Sequence, residues 1–212
     1  MNYLELINKC LVELNYKQVY AFTELTKNDH KKIKNILNVI NTEICTSDHW
    51  HFLLRQVQLE LGAGTKEIEN TINGRVAALM IDGAKYEYFE DFERFFKNSQ
   101  PARTYSVFNN KILLPAFKED KVITVIYYSN NHAFSVEDEE KPQMEEGDDT
   151  SVIPEPFVEP LLVYGTCMRL KGNPQHIRFG YWFSMYKDAL ANMRSRICVN
   201  ADEAPSIKMK RR

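Results

Sequence analysis

The hydrophobic period of this chain changes twice along its length, and that restricts the folds open to it. Near the start, Leu4, Ile7, Leu11 and Leu14 lie on one helical face, widened by Tyr3, Leu6 and Cys10. Ile33, Ile36, Leu37, Ile40 and Ile44 repeat at steps of three and four, while Lys31, Lys32 and Lys34 fill the wet side. Asn28 or Asp29 is expected to cap this second helix. From Val57 the apolar residues alternate instead, with Val57, Leu59 and Leu61 set against Gln56, Gln58 and Glu60. Period two with one apolar face is the pattern of a half-exposed strand.

Strand signals continue to about Ser129. Val76 to Asp82 reads as a buried strand, with turns expected at Asn73-Gly74 and Asp82-Gly83. The segment DFERFF (91–96) reads as a helical turn. The strongest hairpin signal joins Thr104–Phe108 to Lys111–Leu114 across Asn109-Asn110, because Asn tolerates the positive φ of a tight turn. VITVIYY (122–128) has the content of a packed strand. Helical period then returns. Pro160 suits the first turn of a helix whose end is marked by Gly172-Asn173-Pro174. A final helix is expected over Gln175 to Val199, with Phe179, Trp182, Tyr186, Leu190, Met193 and Ile197 as its stripe.

Amphipathic helices must bury their stripes. The economical arrangement is an α+β fold in which the N- and C-terminal helices form one bundle, with an inserted, mainly antiparallel β region. The expected boundaries are 1–54 with 151–200 for the bundle and 55–129 for the β region. An acidic loop, 130–150, and an extended C-terminal tail, 201–212, complete the division.

The acidic loop contains EDEEKPQMEEGDD, from Glu137 to Asp149, with eight acids against Lys141 alone. Like charges repel and few apolar groups offset them, so a solvated loop or an interface element is expected. Glu137, Asp138, Glu139, Glu140, Glu145, Glu146, Asp148 and Asp149 are therefore candidates for protein interaction. The last five residues carry four bases, Lys208, Lys210, Arg211 and Arg212, which join the candidates. So do Phe92 and Phe96, in an aromatic and acidic stretch where core burial is the competing expectation.

Chemistry is sparsely signalled. Formal net charge is −2, without the basic signature of a nucleic-acid binder. Cys10, Cys45, Cys167 and Cys198 are far apart and sit among apolar residues, as small buried hydrophobes of a reduced compartment. Asp48, His49 and His51 flank Trp50 but lack further ligands, so a polar shell around a buried tryptophan is the expectation. Gly62-Ala63-Gly64-Thr65 lacks the ending of a phosphate loop and reads as a turn. The acidic tract fails the spacing of a calcium loop. No catalytic residue, cofactor or metal is expected. Asn2 to Tyr16 has neither a basic start nor a continuous apolar run, and no stretch is long enough to span a membrane, so a cytoplasmically made chain is expected.

Three stretches together resemble the head-to-tail connector proteins of tailed bacteriophages, also called portal adaptor or head-completion proteins. The first is YLELINKCLVELNY followed by KKIKNILNVINTEICTSDHWHFLLRQ. The second is PARTYSVFNNKILLPAFKEDKVITVIYY. The third is IPEPFVEPLLVYGTCMRLKGNPQHIRFGYWFSMYKDALANMRS. They cover most of Asn2 to Arg196. The resemblance implies a structural virion protein in the head-tail neck, assembled as a ring of about twelve copies. It implies a portal protein and a downstream tail or nozzle protein as partners, and double-stranded DNA passing through the channel without sequence-specific contacts. It also implies that Ala201 to Arg212 reaches into the portal. The family has no catalytic residues to carry over. The stretches 90–100, longer and more aromatic, and 137–149, more acidic, depart from the family pattern. The alternatives are a non-ring assembly chaperone or tail-attachment factor and, less favoured, a small metal-dependent hydrolase using Asp48, His49 and His51 or the acidic tract.

Overall fold

The computed structural model describes residues 1–198. The chain is an α+β protein that divides into two compact units. The helical unit comprises Met1–Leu53 together with residues 131–198. The β unit is Leu54–Asn130.

Among the described residues, four long helices form the first unit. They are α1 (Tyr3–Glu13), α2 (Asn28–Ser47), α4 (Val158–Lys171) and α5 (Phe179–Ile197), with the single-turn α3 (Glu93–Phe96) lying in the β unit. Helix α4 is central and packs against α1, α2 and α5. Its buried residues, from Val158 through Leu161, Leu162 and Val163 to Cys167, surround the axis rather than forming one stripe. A helix apolar all round is one that neighbours must enclose. Gly165 permits that closeness, since a Cβ there would come within 3.1 Å of the Tyr186 ring and 3.2 Å of Ile40. Gly172 stops α4 with φ +50° and donates its N–H to the Met168 carbonyl.

Helix ends account for other residues. Asn2 caps α1 through a reciprocal pair, the Glu5 N–H donating to Asn2 Oδ1 and the Asn2 N–H to Glu5 Oε2, both at 2.9 Å. The expected cap of α2 is corrected. Lys27 occupies the cap position without a side-chain bond, and Asn28 and Asp29 are already helical. Asp29 still places negative charge in the first turn, where the helix dipole favours it. The last helix begins at Phe179, four residues later than expected, and its stripe is narrower. Only Trp182, Ala189 and Met193 are buried.

In the β unit seven strands run in the order β1-β7-β3-β4-β5-β6-β2. These are β1 (Leu54–Leu61), β2 (Glu67–Glu69), β3 (Gly74–Ile81), β4 (Ala84–Tyr88), β5 (Thr104–Phe108), β6 (Lys111–Leu113) and β7 (Lys121–Ser129). All neighbours are antiparallel except β4 and β5, which are parallel. The β3–β4 turn uses Asp82 at φ 51° and Gly83 at φ 75°, and the β5–β6 turn uses Asn109 at 48° and Asn110 at 57°. Positive φ at both central residues matches the right-handed twist of the strands they join. Gly74 serves differently from the turn expected at Asn73-Gly74. It opens β3, where a Cβ would sit 2.0 Å from the Tyr128 carbonyl oxygen. One core of Leu61, Leu79, Ile112, Leu114, Ile123 and Val125 fills the unit.

Candidate interaction surface

The acidic segment is folded into the helical unit, and this changes the expectation of a separate solvated loop over 130–150. Three two-residue strands, β8 (Ala133–Phe134), β9 (Glu140–Lys141) and β10 (Thr150–Ser151), form a small sheet in the order β10-β8-β9. The segment docks on α1 and α2 through backbone and amide groups. The first-turn N–H groups of Tyr3 and Leu4 donate to the carbonyls of Asp149 and Gly147, at 2.8 and 2.9 Å. Helix starts leave such donors free, so the segment supplies acceptors that water would otherwise provide. Asn38 Nδ2 donates to the Met144 carbonyl at 2.8 Å, and the Met144 N–H returns to Asn38 Oδ1. Buried Asn41 donates to the His132 carbonyl and accepts from Ser151 Oγ at 2.6 Å.

Asp149 holds the segment together. It is 1% exposed, although it ends the most acidic run of the chain. Its Oδ2 accepts the N–H groups of Glu145 and Glu146, at 2.7 and 2.8 Å, and its Oδ1 accepts from Lys141 Nζ at 3.0 Å. Burial pushes its carboxyl pKa up. The N–H donors of Glu146 and Glu145 and the Lys141 ammonium outweigh burial, and the carboxyl lies below the usual aspartate value. His132 has no such partner charge, and burial lowers its pKa.

The remaining acids divide by position. Glu137, Asp138, Glu139, Glu145, Glu146 and Asp148 are exposed, and Glu140 is half-buried in β9. The exposed set is the surface expected from the sequence; Asp149 is its anchor rather than a docking group. Phe92 is half-buried and stacks on Phe108, with centroids 4.3 Å apart. Phe96 is 55% exposed and meets Phe108 edge-on, while Phe95 enters the core. Lys208, Lys210, Arg211 and Arg212, like the expected tail 201–212, lie outside the described residues.

A second surface was not singled out from the sequence. On α5, Tyr181 and Phe183 are 52% and 51% exposed, and Met185 is also uncovered. At about 100° per residue, Phe183 and Tyr181 fall on opposite flanks of the stripe centred on Trp182. Tyr181 touches the edge of Tyr164 on α4, and Phe183 stacks on Phe179. The sequence carries the signal in Tyr181, Phe183 and Met185, large apolar residues that lie beside the expected stripe of Phe179, Trp182, Tyr186, Leu190, Met193 and Ile197.

The other candidates resolve plainly. Trp50 is fully buried and donates its indole N–H to the Ile44 carbonyl. Asp48 accepts from Arg194 Nε at 2.9 Å, which commits its carboxylate to an ion pair. Cys10, Cys45 and Cys167 are buried free thiols, and burial raises the pKa of Cys10 and Cys45. Cys198 departs from its expected placement: it is half-buried just beyond α5 and bridges Trp50. The Gly62 to Thr65 stretch is a turn, closed by the Thr65 N–H on the Gly62 carbonyl. Among the described residues, no three His, Cys, Asp or Glu side chains are grouped as a metal ion would need. Among them, too, no helix is long and apolar enough to cross a membrane.

No protein-family model matches the chain, and no curated protein matches it.

Proposed function

We propose that this chain is a structural adaptor of a tailed-bacteriophage virion, forming a ring between portal and tail and extending the DNA channel. The observation that carries this reading is the discontinuous helical unit. Its helices come from both ends of the chain, and a β unit is inserted between Leu53 and Asn131. That is the organisation the connector resemblance implies, and its three resembling stretches fall on α1–α2, on β5–β7 and on α4–α5. A second feature agrees with it. A ring subunit must offer two different surfaces to its two neighbours, and α5 carries uncovered aromatic residues on both flanks of its buried stripe. The exposed acids of 137–148 would then repeat around the ring, with like sign as the DNA, which lets a channel or rim pass the duplex without holding it.

Native mass spectrometry of the full chain, alone and with the phage's portal protein, tests the reading. The expected result is a closed oligomer of about twelve copies, formed alone or on the portal. A strict monomer under both conditions overturns it.

A further inference from the structure

In the helical unit an open groove of about 690 Å³ lies over the outer face of α2. Val39, Thr42 and Glu43 of α2 line one side, and Gln143, Met144 and Glu145 line the other. The second wall is fixed to the first. Asn38 exchanges two hydrogen bonds with the Met144 backbone, and the Glu145 N–H donates to buried Asp149. A wall already held in place loses little freedom when something docks on it. Val39 is 46% exposed, an apolar side chain in a groove with room for a ring beside it.

Three charged residues line the groove. Lys34 holds its ammonium over the Phe22 ring, 4.1 Å from the centroid, and Glu43 is paired with Arg169. Glu145 is exposed and makes no ion pair among the described residues. The groove therefore suits a helix flank that brings one apolar ring and one cation. Helix α5 carries such a flank. Phe183, Lys187 and Leu190 follow at steps of four and three, so they lie on one side of the helix. Phe183 and Lys187 are exposed, and Lys187 makes no ion pair among the described residues. Arg194 is next on this flank and is committed to Asp48. No acid shares the flank, since Asp188 is turned about 100° from Lys187.

We propose that the Phe183–Lys187 flank of α5 in one copy docks in the α2 groove of a second copy. Phe183 packs on Val39, and Lys187 Nζ pairs with the Glu145 carboxylate. Opposite charge selects this occupant, because the cation uncommitted on the flank meets the carboxylate uncommitted on the groove. The flank and the groove are different patches, so the contact runs head to tail and each copy offers one of each to its neighbours. This rests on the ring reading and names the two surfaces that reading requires.

A charge swap in the full chain tests the docking, with native mass measured over a concentration series, alone and with portal protein. Lys187→Glu and Glu145→Lys should each raise the concentration needed for half-assembly by about tenfold. Both reversals in one chain should restore assembly. Circular dichroism on every variant checks that the fold is kept. Single reversals that leave assembly unchanged overturn the docking, and so does a double reversal that fails to restore it. As a second measurement, a chain with Val39→Cys is mixed with one carrying Phe183→Cys, both in a Cys198→Ser background, and oxidised. A linked pair of the two chains is expected, and its absence also overturns the docking. The two readings fail separately. A ring indifferent to the reversals removes the docking alone. A species restored by the swap but holding only two copies removes the ring reading alone, and a strict monomer under both conditions removes both.

Discussion

Two hairpin-like regions of this protein are stabilised in opposite ways. The β5–β6 hairpin is local. Its turn is Asn109-Asn110 at positive φ, and its register runs Ser106 to Leu113, Val107 to Ile112 and Phe108 to Lys111. The acidic segment, 131–151, has only two-residue strands, and its order comes from groups distant in sequence, Asn38 and Asn41 on α2 and the start of α1. In the first, turn chemistry fixes the register, and Tyr105 and Ile112 anchor the two strands in the core of the same unit. In the second, a charged run is ordered because one of its carboxylates is spent inside, on two N–H groups and a lysine.

The sharpest way to break the comparison is Asp149→Ala. It leaves two backbone donors and Lys141 without their acceptor and should cost about 3 kcal/mol, read by urea denaturation. Faster amide exchange should appear across 131–151 while the β5–β6 amides stay protected. A loss spread evenly over both regions would show that they are not held independently. Next is Asn41→Leu, which strips the buried bonds to His132 and Ser151 and should cost about 2 kcal/mol by the same measurement. Asn110→Val strikes the local hairpin instead. A β-branched residue at φ 57° should cost about 1 to 2 kcal/mol and loosen β5 and β6 alone.

Acid should separate the regions without mutation. His132 has a lowered pKa when folded, so its stabilisation is present above the ordinary histidine value and is lost as pH falls through the folded value. Asp149 is also lowered when folded, so its contribution is present above the ordinary aspartate value and lost as pH falls through the folded one. Acidification should therefore loosen 131–151 in two stages, the histidine first, visible by NMR before the β5–β6 resonances shift. The smallest effect is expected for Glu137→Gln with Glu139→Gln. Both are exposed, and stability should change by no more than about 0.5 kcal/mol. A larger gain would mean that charge repulsion strains the segment.

Periodicity and turn residues made much of the fold legible. The alternation at Val57, Leu59 and Leu61 marked β1, and Asp82-Gly83 and Asn109-Asn110 marked real turns. Local signals failed where a residue answers to a distant atom. Gly74 looked like a turn glycine and is required instead by the Tyr128 carbonyl, fifty-four residues on (128 − 74 = 54). Asn28 and Asp29 looked like caps, yet α2 starts one residue earlier. The candidate surface was partly legible. Charge density identified the exposed acids, but nothing local told Asp149 from Asp148, because the difference is whether Lys141 and two N–H groups converge on it.

By itself the sequence determined which segments are helical, which are extended, and that both ends must share one bundle, because period and turn chemistry act over a few residues. The tertiary structure alone decided that α4 is enclosed by three helices, that an acidic run is pinned to α1 and α2, and that α5 leaves aromatic residues uncovered. Those outcomes depend on which distant groups meet, and burial and buried hydrogen bonds are properties of the meeting rather than of either segment.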